Sequence, residues 1–147
     1  MVDQNEVTQR FIRYVRIDSQ SDPLNDKTPS STSQWNMAHL LKDELEGFGI
    51  QQVSIDEHAY VMAKIPSNVD HEVPSIGFIS HFDTSPDFLA EHIQPQVHKN
   101  YDGKPVLLNK AKKLWLSPEE FPELKAYKGQ TLITTDGNTL LSADDKA

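Results

Sequence analysis

The 147-residue sequence contains no cysteine. This absence excludes disulfides, thiolate-ligated zinc and cysteine nucleophiles. The sequence also has no Gly-x-Ser-x-Gly turn of a serine hydrolase and no glycine-rich phosphate loop. No apolar run approaches the roughly 20 residues of a membrane span, and the first six residues lack the basic and apolar regions of a secretory signal. The absence of cysteine and of a secretory signal fits a cytoplasmic protein.

Charge and composition narrow the class of partner. The chain carries 14 basic and 22 acidic residues, a formal charge of −8, which disfavours nonspecific binding to nucleic acid. With 37% hydrophobic and 24% charged residues, it is typical of a soluble globular domain with a sizeable core. We therefore expect neither a nucleic-acid nor a membrane partner. Composition leaves the oligomeric state open.

Two helices are predicted in the first 50 residues. Residues 5–17 place apolar side chains at mostly helical spacing, with arginines between them. Residues 19–33 are rich in Ser, Thr, Asp, Asn and Pro without periodicity, which indicates a loop. Ser33 is the expected N-cap of a second amphipathic helix, and Gly49 is its expected left-handed stop.

Short strands are predicted over the rest of the chain. One includes Val53, the next covers residues 60–65, and the apolar run at 75–80 is of the kind buried in a sheet covered on both faces. Prolines limit residues 85–129 to a folded excursion with short strands, and two strands flanking a turn at 136–138 predict a hairpin. This order predicts an α/β fold with a mixed, mainly parallel sheet flanked by helices.

His81 and Asp83 directly follow the predicted strand at 75–80. Two residues apart at a strand end, their side chains leave the backbone on the same side. Imidazole is a good zinc ligand, and a nearby carboxylate can hold the ring in the right tautomer. A lone His-x-Asp also fits an ordinary surface or core histidine, so this pair alone does not decide between the two.

Asp144 and Asp145 lie at the end of a later predicted strand. Neighbours in an extended segment point to opposite faces, so the two are not expected to chelate one metal together. One of them could face the crevice at the carboxyl ends of the strands and bridge two cations with both oxygens. The alternative is an acidic helix start, which the helix dipole favours.

Three longer motifs, taken together, indicate a protein family more specifically than the His81–Asp83 pair or the Asp144–Asp145 pair does. They are the His-x-Asp-Thr-Ser-Pro-Asp string within residues 78–87, the Thr-Thr-Asp-Gly turn at 134–137 and the Ala-Asp-Asp-Lys-Ala end within 140–147. With the Gln34-Trp35 start of the second helix, these segments closely resemble the peptidase T family, part of a wider group of two-zinc exopeptidases and deacylases. The resemblance runs from the first helix to the last residue.

The resemblance implies roles for individual residues. His81 matches a ligand of one zinc, and Asp144 matches the carboxylate that bridges both zinc ions. Asp83 matches the acidic residue that orients the metal-site imidazole and is counted as catalytic. Asp145 and Lys146 match motif positions without a direct metal role.

The resemblance also implies a function. The family's enzymes are zinc-dependent aminopeptidases that release the N-terminal residue from short peptides, tripeptides above all, with two Zn²⁺ ions in a complete site. The family's catalytic glutamate, its remaining metal ligands and an inserted lid domain would lie beyond Ala147. Residues 1–147 are therefore interpreted as the N-terminal portion of the catalytic domain, inactive by itself. Ser142 departs from the family pattern, which usually has glycine there.

Two other functions remain compatible with the residues. A noncatalytic fragment or binding module would retain only a partial metal site. A metal-free α/β ligand-binding domain would require the motif strings to be a coincidence. Loss of turnover on adding a chelator and on His81→Ala would separate the enzyme from both alternatives.

Overall fold

The computed structural model describes residues 4–143, which contain two α-helices and six short strands. The helices are α1, Gln4–Val15, and α2, Gln34–Gly47. The strands are β1 Gln52–Ile55, β2 Val61–Lys64, β3 Gln96–His98, β4 Val106–Asn109, β5 Leu114–Leu116 and β6 Leu132–Thr134, with a 3-10 helix at Pro122–Tyr127. Within the described range, the chain forms a first compact unit of residues 4–16 and 87–142 and a second of residues 17–86 and 143.

Both predicted helices are confirmed. α2 ends as expected, because Gly49 has a φ of +84° and the Ile50 N–H donates to the Leu45 carbonyl at 3.3 Å. Ser33 occupies the N-cap position without making a side-chain cap bond; its hydroxyl lies 3.0 Å from that of Ser31 instead. Neither helix of the described segment is long and apolar enough to cross a membrane.

The second unit combines α2 with an antiparallel pair of strands. The two predicted strands are present as β1 and β2, which pair antiparallel with Val53 opposite Ala63. α2 packs against both strands, and its Met37 and Ala38 are fully buried. This arrangement gives the unit a small apolar core next to the loop that precedes α2.

The first unit contains α1 and the other four strands. β3 pairs with β6 and β4 with β5, both antiparallel, so the predicted excursion with short strands is confirmed. The buried apolar residues of this unit are Tyr14, Val15, Ala90, Ile93, Tyr101 and Leu124.

The predicted hairpin around residues 136–138 is wrong, since β6 pairs with β3 and residues 139–141 form no strand. There, the Leu140 N–H donates to the Leu89 carbonyl at 2.9 Å.

The predicted α/β content is present, but the predicted mainly parallel sheet is wrong. The described residues hold three separate two-stranded antiparallel pairs. The segment at 75–80, expected to be a buried strand, belongs to no strand pair of residues 4–143. Its Ile76, Phe78 and Ile79 are 82%, 95% and 98% exposed. A parallel ladder needs a neighbouring strand to accept and donate its hydrogen bonds, and an apolar sequence does not supply one.

Candidate functional site

His81 and Asp83 are in direct contact at the surface of the second unit. The His81 Nδ1 lies 3.1 Å from the Asp83 Oδ1 and 3.0 Å from the Asp83 carbonyl oxygen. Both partners are acceptors when the carboxylate is ionised, so a neutral ring in this contact would carry its proton on Nδ1. Each side chain is 48% exposed. The two side chains are therefore in contact, while the orienting role of Asp83 and the metal role of the ring stay predictions.

The main chain around Asp83 is fixed by a short parallel bridge. The Thr84 N–H donates to the Ser19 carbonyl at 3.1 Å, and the Ser21 N–H donates to the Thr84 carbonyl at 3.0 Å. Ser19 and Thr84 are both buried. The neighbouring position of residues 19–21 was not predicted, because residues 19–33 have no periodicity. The available signal was the run of small hydroxyl side chains, which readily bond to nearby backbone.

The predicted bridging carboxylate, Asp144, lies outside the described residues, as do Asp145 and Lys146. Nothing in residues 4–143 therefore tests its metal role. Within the described range, no three His, Asp or Glu side chains come close enough to hold a metal together. Among the other histidines, His71 has its Nδ1 3.5 Å from the Asp70 Oδ1 in an exposed pair.

The turn at Asp136 precedes the segment that leads to residue 144. Asn109 Nδ2 donates to the Asp136 carbonyl at 3.2 Å, and Lys112 Nζ donates to the Gly137 carbonyl at 3.2 Å. The Asp136 carboxylate accepts from the Asn138 N–H at 2.9 Å and from its side-chain amide at 2.8 Å. Burial acts to raise the pKa of Asp136, but the hydrogen bonds outweigh it and lower the pKa. The turn is thus anchored by polar contacts to the β4–β5 hairpin.

Ser142 has a backbone conformation that favours glycine. Its φ is +55°, and its side chain is buried. Replacing it by glycine is expected to raise the free energy of unfolding by about 1 kcal/mol. The left-handed conformation costs a non-glycine residue roughly 1–2 kcal/mol, and the unfolded-state entropy of glycine offsets about 0.5–1 kcal/mol. The Ser142 Oγ is also buried without a hydrogen-bond partner in the described range. Urea unfolding of the 147-residue chain measures the change.

Gly137→Ala is the matched comparison for this prediction, with the opposite sign. Gly137 has a φ of +73°, and a Cβ there would lie 2.8 Å from Leu114 Cδ2 and 3.0 Å from Asn109 Cβ. Backbone strain and crowding together should destabilise by more than about 1 kcal/mol. Changes of the same sign in both variants would contradict this backbone explanation.

Comparison with known proteins finds relatives named peptidase T. No family model matches the sequence. Peptidase T of Geobacillus sp. (strain WCH70) is 52% identical over 143 residues, that of Clostridium acetobutylicum is 54% identical over 142, and that of Listeria monocytogenes serotype 4a is 52% identical over 142. Each match covers 97% of this chain and 35% of the relative, so the chain spans about a third of the length of the curated relatives it matches. The resemblance to peptidase T predicted from the motifs is thereby confirmed.

Proposed function

We propose that the chain forms part of a zinc-dependent aminopeptidase that releases the N-terminal residue of short peptides, tripeptides above all. The similarity of nearly the whole chain to peptidase T carries this proposal. The contact of 3.1 Å between His81 and Asp83, at the motif on which the resemblance depends, supports it. The proposal includes that residues 1–147 are the N-terminal portion of a cytoplasmic enzyme's catalytic domain.

The His81–Asp83 pair fits one ligand position of a zinc site. A histidine that donates from Nδ1 to a carboxylate offers Nε2 as a ligand atom, which is the usual carboxylate–histidine–zinc arrangement. His81 would be that ligand, and Asp144 would bridge two Zn²⁺ ions. Asp83 would keep the ring in the ligating tautomer and raise its basicity. When bound, zinc supplies Lewis acidity and lowers the pKa of water. The general base is proposed to be a glutamate outside these 147 residues.

A chimaera tests the proposal directly. In it, the 147 residues replace the matching segment of the Geobacillus peptidase T. We expect the chimaera to release the N-terminal residue from a tripeptide, to lose this activity on adding a chelator and to regain it with Zn²⁺. Metal analysis should find about two zinc ions per chain. A folded but inactive chimaera, assayed beside an active Geobacillus protein, would contradict the aminopeptidase proposal.

For the isolated chain, a second candidate is a noncatalytic module. It is favoured by the observation that no three potential ligand side chains cluster among residues 4–143, whereas zinc usually takes four ligands. The isolated chain is accordingly expected to show no turnover even with added zinc. Measurable tripeptidase activity would contradict the assignment of the base to a residue outside it.

A further inference from the structure

We propose that Ser19 and Gln20 are positioning residues for the His81–Asp83 pair, an inference that rests on the proposed function. With Ser21, they form what we call the polar clamp, residues 19–21. The polar clamp lies beside the main chain that carries Asp83 and is joined to it by side-chain as well as backbone hydrogen bonds.

The strongest side-chain bond of the polar clamp comes from Ser19. Its Oγ donates to the Phe82 carbonyl at 2.6 Å, and Ser19 is fully buried. Phe82 lies between His81 and Asp83, so this bond fixes the peptide group that joins Phe82 to Asp83. A buried carbonyl that loses its donor is costly, which makes this hydroxyl a determinant of the local backbone position.

The other two residues of the polar clamp bond to the main chain that follows Asp83. Gln20 Nε2 donates to the Ser85 carbonyl at 2.8 Å, and Ser21 Oγ donates to the Thr84 carbonyl at 3.1 Å. Carbonyls on both sides of Asp83 are therefore bonded to residues 19–21, which restricts rotation of the peptide groups that flank it.

The polar clamp is in turn attached to a regular element. The Gln20 carbonyl accepts from the Ser31 Oγ at 2.6 Å and from the Gln34 Nε2 at 3.4 Å. Gln34 is the buried first residue of α2. A site supported by a helix is held more precisely than one supported by loops alone.

The position of Asp83 determines the orientation of the His81 ring. Both oxygens that accept from Nδ1 belong to Asp83, one from its main chain and one from its side chain. The imidazole is itself half-exposed, so packing alone does not enclose it. A displacement of the backbone at residues 82–85 would consequently move both acceptors at once and release the ring from the tautomer that presents Nε2.

Imidazole ¹⁵N chemical shifts of the metal-free 147-residue chain test this inference. In the wild-type chain, at a pH where the ring is neutral, the geometry places the His81 proton on Nδ1, facing both Asp83 oxygens. Ser19→Ala and Gln20→Ala should each lower the fraction of that tautomer. In the chimaera, each should weaken Zn²⁺ binding by about 10-fold, since loss of a group that orients a metal-bound histidine typically costs 10–100-fold.

Thr84→Val is the matched control. The Thr84 Oγ1 is buried and has no hydrogen-bond partner in the part of the chain described, so its removal should leave the His81 shifts unchanged. Gln20 is less buried than Ser19. If Ser19→Ala does not fold, the His81 shifts of Gln20→Ala therefore still test the inference. Unchanged His81 shifts in the folded Ser19 and Gln20 variants would overturn the inference, as would an equal change in Thr84→Val. The shifts are read without metal, so an inactive chimaera would contradict the proposed function and not the polar clamp.

Discussion

Replacing His81 by alanine in the chimaera is expected to lower Zn²⁺ affinity and kcat/KM for a tripeptide by more than about 100-fold. Loss of a residue that only orients a metal-bound histidine costs about 10–100-fold, and loss of the ligand itself should exceed this. In the isolated 147-residue chain, the free energy of unfolding should change by less than about 0.5 kcal/mol, because the His81 side chain is 48% exposed there. Competition titration with a zinc indicator measures the Zn²⁺ affinity, and initial rates give kcat/KM. Urea unfolding shows whether the variant is still folded.

Two further variants make this result specific to the site. Asp83→Asn keeps a similar shape but weakens the acceptor for the His81 Nδ1–H, so an intermediate loss of about 10–100-fold is expected. His71→Ala is the matched control, since His71 also contacts an aspartate, Asp70, in the same unit but is 69% exposed. Unchanged zinc affinity in His81→Ala would remove this residue from the proposed ligands.

The elements that sequence predicted correctly are those with local signals. Helical spacing of apolar residues gave α1, and Gly49 marked the end of α2 through its left-handed conformation. Alternation of apolar and polar residues predicted β1. The next predicted strand is β2, which follows β1 in the sequence and pairs with it. Such signals lie within one element or at its ends, so these elements can be predicted without knowing which distant residues they contact.

Strand partners and site supports could not be predicted because they depend on distant residues. β6 pairs with β3, 34 or more positions earlier in the chain, rather than with the segment after its turn. The His81–Asp83 contact follows from a spacing of two residues and was foreseen. The bond from Ser19 to Phe82 spans 63 positions, and no feature of either residue type indicates the other. The contact between His81 and Asp83 was therefore predictable, whereas the structure that holds the pair was not.

A substitution in the exposed segment at 75–80 is expected to have a large effect on the free energy of unfolding in the chimaera but not in the isolated chain. Phe78→Ala in the isolated chain is expected to change the free energy of unfolding by less than about 0.5 kcal/mol, since Phe78 is 95% exposed. In the chimaera, the same substitution is expected to cost about 3–5 kcal/mol, the usual cost of truncating a buried phenylalanine. The reason is that in a strand, Ile76 and Phe78 would point to one face and Ile79 to the other, a pattern that is stable only when a sheet is covered on both faces. We expect the remainder of the relative to supply that cover.

Urea unfolding of both proteins, with and without the substitution, measures this difference. Leu24→Ala is the matched control, because Leu24 is 93% exposed but lies in the loop before α2 rather than in an apolar run. It should have almost no effect in either protein. A small effect of Phe78→Ala in the chimaera would contradict burial of this segment in the longer protein. A large effect in the isolated chain would contradict its exposure there, so the two measurements test the sequence-based strand and the observed structure separately.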